Sequence, residues 1–191
     1  AGVVKGIPDF VDEIVVVDDA STDATHAIVA RVLGDQARIV PSTATSDDTF
    51  TRIAHNFRQG LLEVAACDIA ILSDHDDVWH ADRVAHQAAL LDEHPDVSLL
   101  ASDGRIVDET GHALGGTLRD TFRVPGDFNE MSAEDRMRVV LRKSVATGGA
   151  SAVRPAAVIF GESANLNSNP RRFPSFTIIK SCSPWLCTDQ K

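Results

Sequence analysis

The chemistry in this chain is carried by acids. Asp18-Asp19 closes the apolar run Glu13-Ile14-Val15-Val16-Val17, and Asp74-His75-Asp76-Asp77 closes a second run, Asp68-Ile69-Ala70-Ile71-Leu72-Ser73. Short, continuous, β-branched runs of this kind suit strands buried on both faces. In open α/β sheets, ligands bind beyond the carboxyl ends of the strands. If the two strands are parallel and near neighbours, up to five carboxylates share one crevice. They repel one another unless a cation or protons intervene. Oxygen-only donors favour Mg²⁺ or Mn²⁺, whose shells are commonly completed by substrate phosphates and water. The pattern therefore points to a metal–diphosphate site. Read singly, Asp18-Asp19 could be turn and cap chemistry, and the second group a solvated helix N-terminus favoured by the dipole.

The elements that must position these acids follow from periodicity. After Ala20-Ser21-Thr22-Asp23, the residues Ile28, Val29, Val32 and Leu33 fall at helical spacing, with Gly34 as a stop. Ala37–Val40 reads as a strand closed by Pro41, and Thr49–Ala66 as a helix. Trp79–His94 also reads as a helix, stopped by Pro95. Val97–Ala101 and Gly104–Val107 read as strands, 112–131 as irregular, and Ser132-Ala133-Glu134-Asp135 as the capped start of a last helix through Arg142. Strands alternating with helices predict an α/β fold with a mostly parallel sheet flanked by helices. Residues 1–160 are expected to form that domain, and 161–191, rich in Ser, Asn and Pro, an irregular tail of doubtful membership.

Composition narrows the function classes. The chain has 191 residues and a formal net charge of −10, with 43% hydrophobic and 24% charged residues. That is a globular balance. So acidic a chain is a poor partner for nucleic acid or anionic lipid. No stretch is long and apolar enough to span a bilayer. Cys67, Cys182 and Cys187 form neither a zinc spacing nor a disulfide framework. The expected location is cytoplasmic, with any membrane association made through other proteins.

Two stretches carry a family resemblance. Glu13 to Thr25, read EIVVVDDASTDAT, resembles the nucleotide-binding signature of family 2 glycosyltransferases of the GT-A fold. Asp68 to Trp79, read DIAILSDHDDVW, is similar to the metal-binding DxD region of that family, closest to its rhamnosyltransferase-like branch. Asn56-Phe57, Asp82-Arg83-Val84 and Gln87 also fit. The resemblance runs over residues 9–111 and more weakly to Arg154. It implies that Asp18, Asp19 and Ser21 hold the base and ribose of a UDP- or dTDP-sugar. It also implies that Asp74 touches ribose or metal, that Asp76 is the metal ligand on the diphosphate, and that Asp77 lies beside it. The implied reaction is inverting transfer of a sugar to a saccharide or lipid-linked hydroxyl, with Mg²⁺ or Mn²⁺.

The sequence departs from the family pattern at both ends. Family members begin with a further strand, centrally placed between those ending at Asp18 and Ser73, and only twelve residues precede Glu13. The expected sheet is thus incomplete. The family's catalytic base falls near 160–180, where Glu162 is the only acid, and no base is assigned. Thr147-Gly148-Gly149-Ala150 and Val153-Arg154 resemble the acceptor-side strand before it.

Other readings stay open. A non-catalytic nucleotide- or metal-binding homologue would share these motifs. Asp19-Ala20-Ser21-Thr22-Asp23 loosely mimics the metal site of adhesion modules, and paired acids after a first strand occur in phosphorelay receivers; neither scheme places the second acid group. His75 could ligate a metal but reads rather as solvated or phosphate-facing; His80, His86 and His94 read as surface or packing residues; and Trp79 as core or as a stacking platform. Asp103 could face a substrate or serve a turn.

Overall fold

The structure, a computed structural model, describes residues 7–160, 175–179 and 186–189. The fold is α/β. β1 (Ile14–Asp18) pairs in parallel with β2 (Ala37–Pro41), Asp18 opposite Pro41, and α1 (Thr25–Leu33) makes the crossover between them. The start of α1 is held by Asp23, whose Oδ1 accepts from the Thr25 amide at 2.9 Å. Its end is set by Gly34 at φ +52°, a left-handed conformation that disfavours any side chain.

α2 (Thr49–Glu63) begins at Asp48, whose Oδ2 accepts from the Thr51 amide at 2.7 Å. The helix packs on β1 at Gly60, where an added Cβ would lie 3.4 Å from Val17 Cγ2. Arg38 of β2 ties this unit together through Glu13 and Glu63.

A second sheet has the order β3 (Ala70–Ile71), β8 (Ser151–Val153), β5 (Val97–Ser102), β9 (Ser175–Ile179). β8 runs antiparallel to both β3 and β5, whereas β9 runs parallel to β5. A third sheet has the order β4 (Val78–Trp79), β10 (Leu186–Asp189), β6 (Arg105–Val107), β7 (Ala113–Thr117). α3 (Arg83–Glu93) packs on β5, and Leu91 meets Val97, Leu100 and Ala152 in one core cluster. α5 (Ala133–Arg142) covers another, with Val139 and Val140 against Ala101, Phe128 and Val145. α4 (Leu118–Phe122) and α6 (Pro155–Phe160) complete the helices among the described residues.

Several elements differ from the sequence expectation. The strand expected over 68–73 is paired only at Ala70–Ile71, although the Leu72 amide still reaches the Ser151 carbonyl at 2.9 Å. The helix expected from Trp79 starts at Arg83, because Trp79 is held in β4 by β10. The stretch 112–131 is not irregular: it contains β7 and α4, the latter opened by a reciprocal capping box between Thr117 and Asp120. Within 161–191, expected as a tail, β9 and β10 pair into the second and third sheets.

β1 and β3, which carry the two acid groups, lie in different sheets. α2 packs on β1 and shares a cavity with the residue Leu72 that follows β3. Phe57 and Leu61 of α2, Leu72 after β3, Leu99 of β5 and Val140 of α5 line this apolar cavity of about 470 Å³.

Candidate nucleotide-sugar site

The first acid group sits on a strained turn. Ala20 has φ +61°, unusual for a residue with a side chain, and it folds the chain so that the Ser21 amide points back at Asp18. Both Asp18 oxygens lie within 3.4 Å of that amide, and His26 Nε2 is 3.0 Å from Oδ2. Hydrogen bonds from Ser21, then from His26, hold the Asp18 carboxyl below its ordinary value. Asp18 and Ser21, predicted to act together, are therefore in contact.

Asp19 points the other way. Arg52 of α2 grips it with both ends of the guanidinium, Nε to Oδ2 at 3.0 Å and Nη2 to Oδ1 at 2.5 Å. This fork-on-carboxylate geometry is the strong form of the pair. Hydrogen bonding to Arg52 holds Asp19 below its ordinary value. Ser42 after β2 donates to Asn56 of α2, and Thr43 is bound by Gln59, so the loop beyond β2 is tied to the same helix.

The second acid group divides by exposure. Asp76 is exposed, Asp74 is half-buried and Asp77 is 2% exposed. Asp74 Oδ2 accepts from the Gly149 amide at 3.1 Å. Burial, and then the charge of Asp76, push the Asp74 carboxyl up. Burial, and then Asp74, push Asp77 up to about 7. Asp77 Oδ2 has no hydrogen-bond partner. The compensating cation is Arg83, 1% exposed, whose guanidinium lies 4.1 Å from the Trp79 ring centroid. Burial lowers Arg83 to about 10.

The mutual repulsion expected of the acids is thus relieved locally. His26 and Arg52 offset the first group, and Arg83 and burial the second. No cluster of three or more His, Cys, Asp or Glu is arranged to hold a metal among the described residues. Asp74, half-buried, and Asp76, exposed, stand two positions apart as the oxygen donors of this group. Carboxylate oxygens are the donors a hard divalent cation takes, its other ligands coming from phosphate and water. Glu162, the acid in the stretch where the resemblance places the base, lies outside the described residues, as do the side chains of Cys182 and Cys187.

Asp103, open between a substrate-facing and a turn role, accepts from the Gly104 and Arg119 amides, at 2.9 and 3.0 Å, so it pins the start of α4. Arg52, His26 and Gly149 had no assigned site role. Arg83 and Gln87 fitted the family pattern without a role, and their burial has a signal of its own: polar side chains at i and i+4 on the same helix face as the apolar Val84 and Leu91.

Residues 3–149 match the family model of glycosyl transferase family 2, and the chain belongs to that family. No curated protein matches the chain. Solved structures do resemble it, two of them as follows. One is glucosyl-3-phosphoglycerate synthase from Mycobacterium tuberculosis in complex with phosphoglyceric acid, at 16% identity and a TM-score of 0.47, covering 82% of this chain and 50% of that one. The other is a mycobacterial protein at 16% identity and a TM-score of 0.45, covering 98% and 58% respectively. The chain spans between half and three fifths of the length of these structures.

Proposed function

We propose that this domain takes part in glycosyl transfer from a nucleotide-diphospho-sugar, of the UDP or dTDP type, to an acceptor hydroxyl with inversion. The carrying observation is that each acid group follows the carboxyl end of a strand, β1 or β3, in a chain of this family. Asp18 and Ser21 would orient the base and ribose, with Asp19 set by Arg52. Asp74 and Asp76 would hold Mg²⁺ or Mn²⁺ against the diphosphate. When bound, the cation would neutralise charge on the departing phosphate. In the transfer, the bond from the anomeric carbon to the phosphate oxygen breaks as the acceptor oxygen bonds to that carbon. The acceptor's proton passes to a base not assigned among the described residues. The hexosyl or rhamnosyl nature of the sugar, a saccharide or lipid-linked acceptor, and a role in polysaccharide biosynthesis are finer expectations of the same reading.

The test is thermal. UDP or dTDP with Mn²⁺ should raise the melting temperature of the folded protein, and Asp76→Ala should remove the increment. A ligand at a hundredfold excess over its Kd stabilises by about 2.7 kcal/mol. No shift with either nucleotide would contradict the proposal. A shift without sugar transfer would favour the second reading, a non-catalytic nucleotide-binding homologue.

A further inference from the structure

Arg83 and Gln87 are each 1% exposed, one helical turn apart on α3, and their polar ends reach three separate segments. Arg83 Nη2 donates to the Leu72 carbonyl at 3.0 Å, just beyond β3, and to the Gly149 carbonyl. Arg83 Nε donates to Gln87 Oε1 at 3.2 Å. Gln87 Nε2 donates in turn to Ser102 Oγ at 2.9 Å and to the Ala150 carbonyl at 3.2 Å. Burying a guanidinium and an amide is unfavourable unless they are bonded, so both gain most when the turn 147–150 sits where its carbonyls meet them.

That turn touches the second acid group through its backbone. Gly149 offers its amide to Asp74 Oδ2 at 3.1 Å and its carbonyl to Arg83. A Cβ on Gly149 would lie 2.6 Å from Asp74 Oδ2 and 2.9 Å from the Asp74 amide, and would also strike Asp77 Oδ2. Only glycine lets the backbone approach so closely. The two peptide units that meet at the Gly149 Cα are thus held from both sides, the carbonyl of one by Arg83 and the amide of the other by the contact with Asp74.

We propose that Arg83 and Gly149 are positioning residues for the diphosphate half of the site: Arg83 holds the backbone at Gly149 through its carbonyl, and the Gly149 amide fixes the Asp74 carboxylate in the orientation that receives a divalent cation. This rests on reading Asp74 and Asp76 as the cation's ligands. Neither Arg83 nor Gly149 touches the substrate. Groups that orient metal ligands in this way are commonly worth ~10–100-fold in metal affinity.

The experiment compares wild type, Arg83→Lys and Gly149→Ala by calorimetric titration with UDP and with uridine (or dTDP and thymidine), each with and without Mn²⁺. Lysine keeps the charge but not the fork. Wild type should bind the diphosphate more tightly with Mn²⁺ and the nucleoside equally well without it. Both variants should lose ~10–100-fold of the Mn²⁺-dependent gain and keep their nucleoside affinity. If either variant retains the full gain, the proposal is overturned. If both lose nucleoside binding or the fold as well, the pair is structural, and the proposal is again overturned. If wild type itself shows no Mn²⁺ dependence, the cation reading of Asp74 and Asp76 fails, and the positioning role falls with it.

Discussion

At the residue scale, Asp77 is the acid whose environment departs furthest from water. Its carboxyl, ordinarily near 3.8, is pushed up to about 7 by burial and by Asp74. Between those values the folded protein holds a proton that the unfolded chain has released. Stability therefore falls as pH rises through that window. Asp74 is shifted in the same direction and adds to the slope. Asp77→Asn should flatten the decline of melting temperature between pH 4 and 7, measured by calorimetry across buffers. An unchanged slope would show that Asp77 is ionised in the folded state. Asp18 and Asp19, both held low by their partners, act in the opposite sense, losing stabilisation only as pH falls below the ordinary carboxyl range. The placing of the acids was legible: continuous apolar runs put them after two strands, as β1 and β3 bear out, and the family motif suggested roles for them. What sequence could not show is that Asp76 and Asp77, adjacent in the chain, face opposite environments. That depends on Gly149 arriving from 72 positions further along.

At the element scale, the well-capped elements were the readable ones. Asp23, Gly34, Asp48 and Ser132 each stand at a boundary the pattern predicted, and each has the contact or backbone angle that makes it a boundary. β7 was not readable. Its Gly115 and Gly116 take φ +89° and +76°, and its side chains are mostly exposed, so neither propensity nor alternation marks it. Trp79 misled because a large apolar residue ahead of a helix reads as the helix's own first turn, whereas it pairs in β4 and lies against Arg83. α3 is the element on which the acid loop depends, since it carries Arg83 and Gln87 at one end and Leu91 in the core. Leu91 is fully buried among Val97, Leu100 and Ala152. Leu91→Ala should cost about 2–5 kcal/mol, read from urea denaturation. A loss below ~1 kcal/mol would mean that α3 is anchored mainly by its polar contacts.

At the scale of the whole molecule, the acids are distributed over two sheets rather than one. The β1–β2 unit is joined to the rest by α2, whose one face meets β1 while Phe57 and Leu61 look onto the cavity shared with Leu72 and Leu99. α2 also carries Arg52, so the helix that bridges the sheets is the one that sets Asp19. The proposed function needs a single nucleotide to reach across this arrangement, with its base and ribose at Asp18 and Ser21 and its diphosphate at Asp74 and Asp76. A crystal structure grown with UDP or dTDP and Mn²⁺ measures that directly. One nucleotide should contact both groups, with the metal ion on Asp74 and Asp76; a nucleotide confined to one group, or a metal ion bound away from both aspartates, would contradict the proposed function.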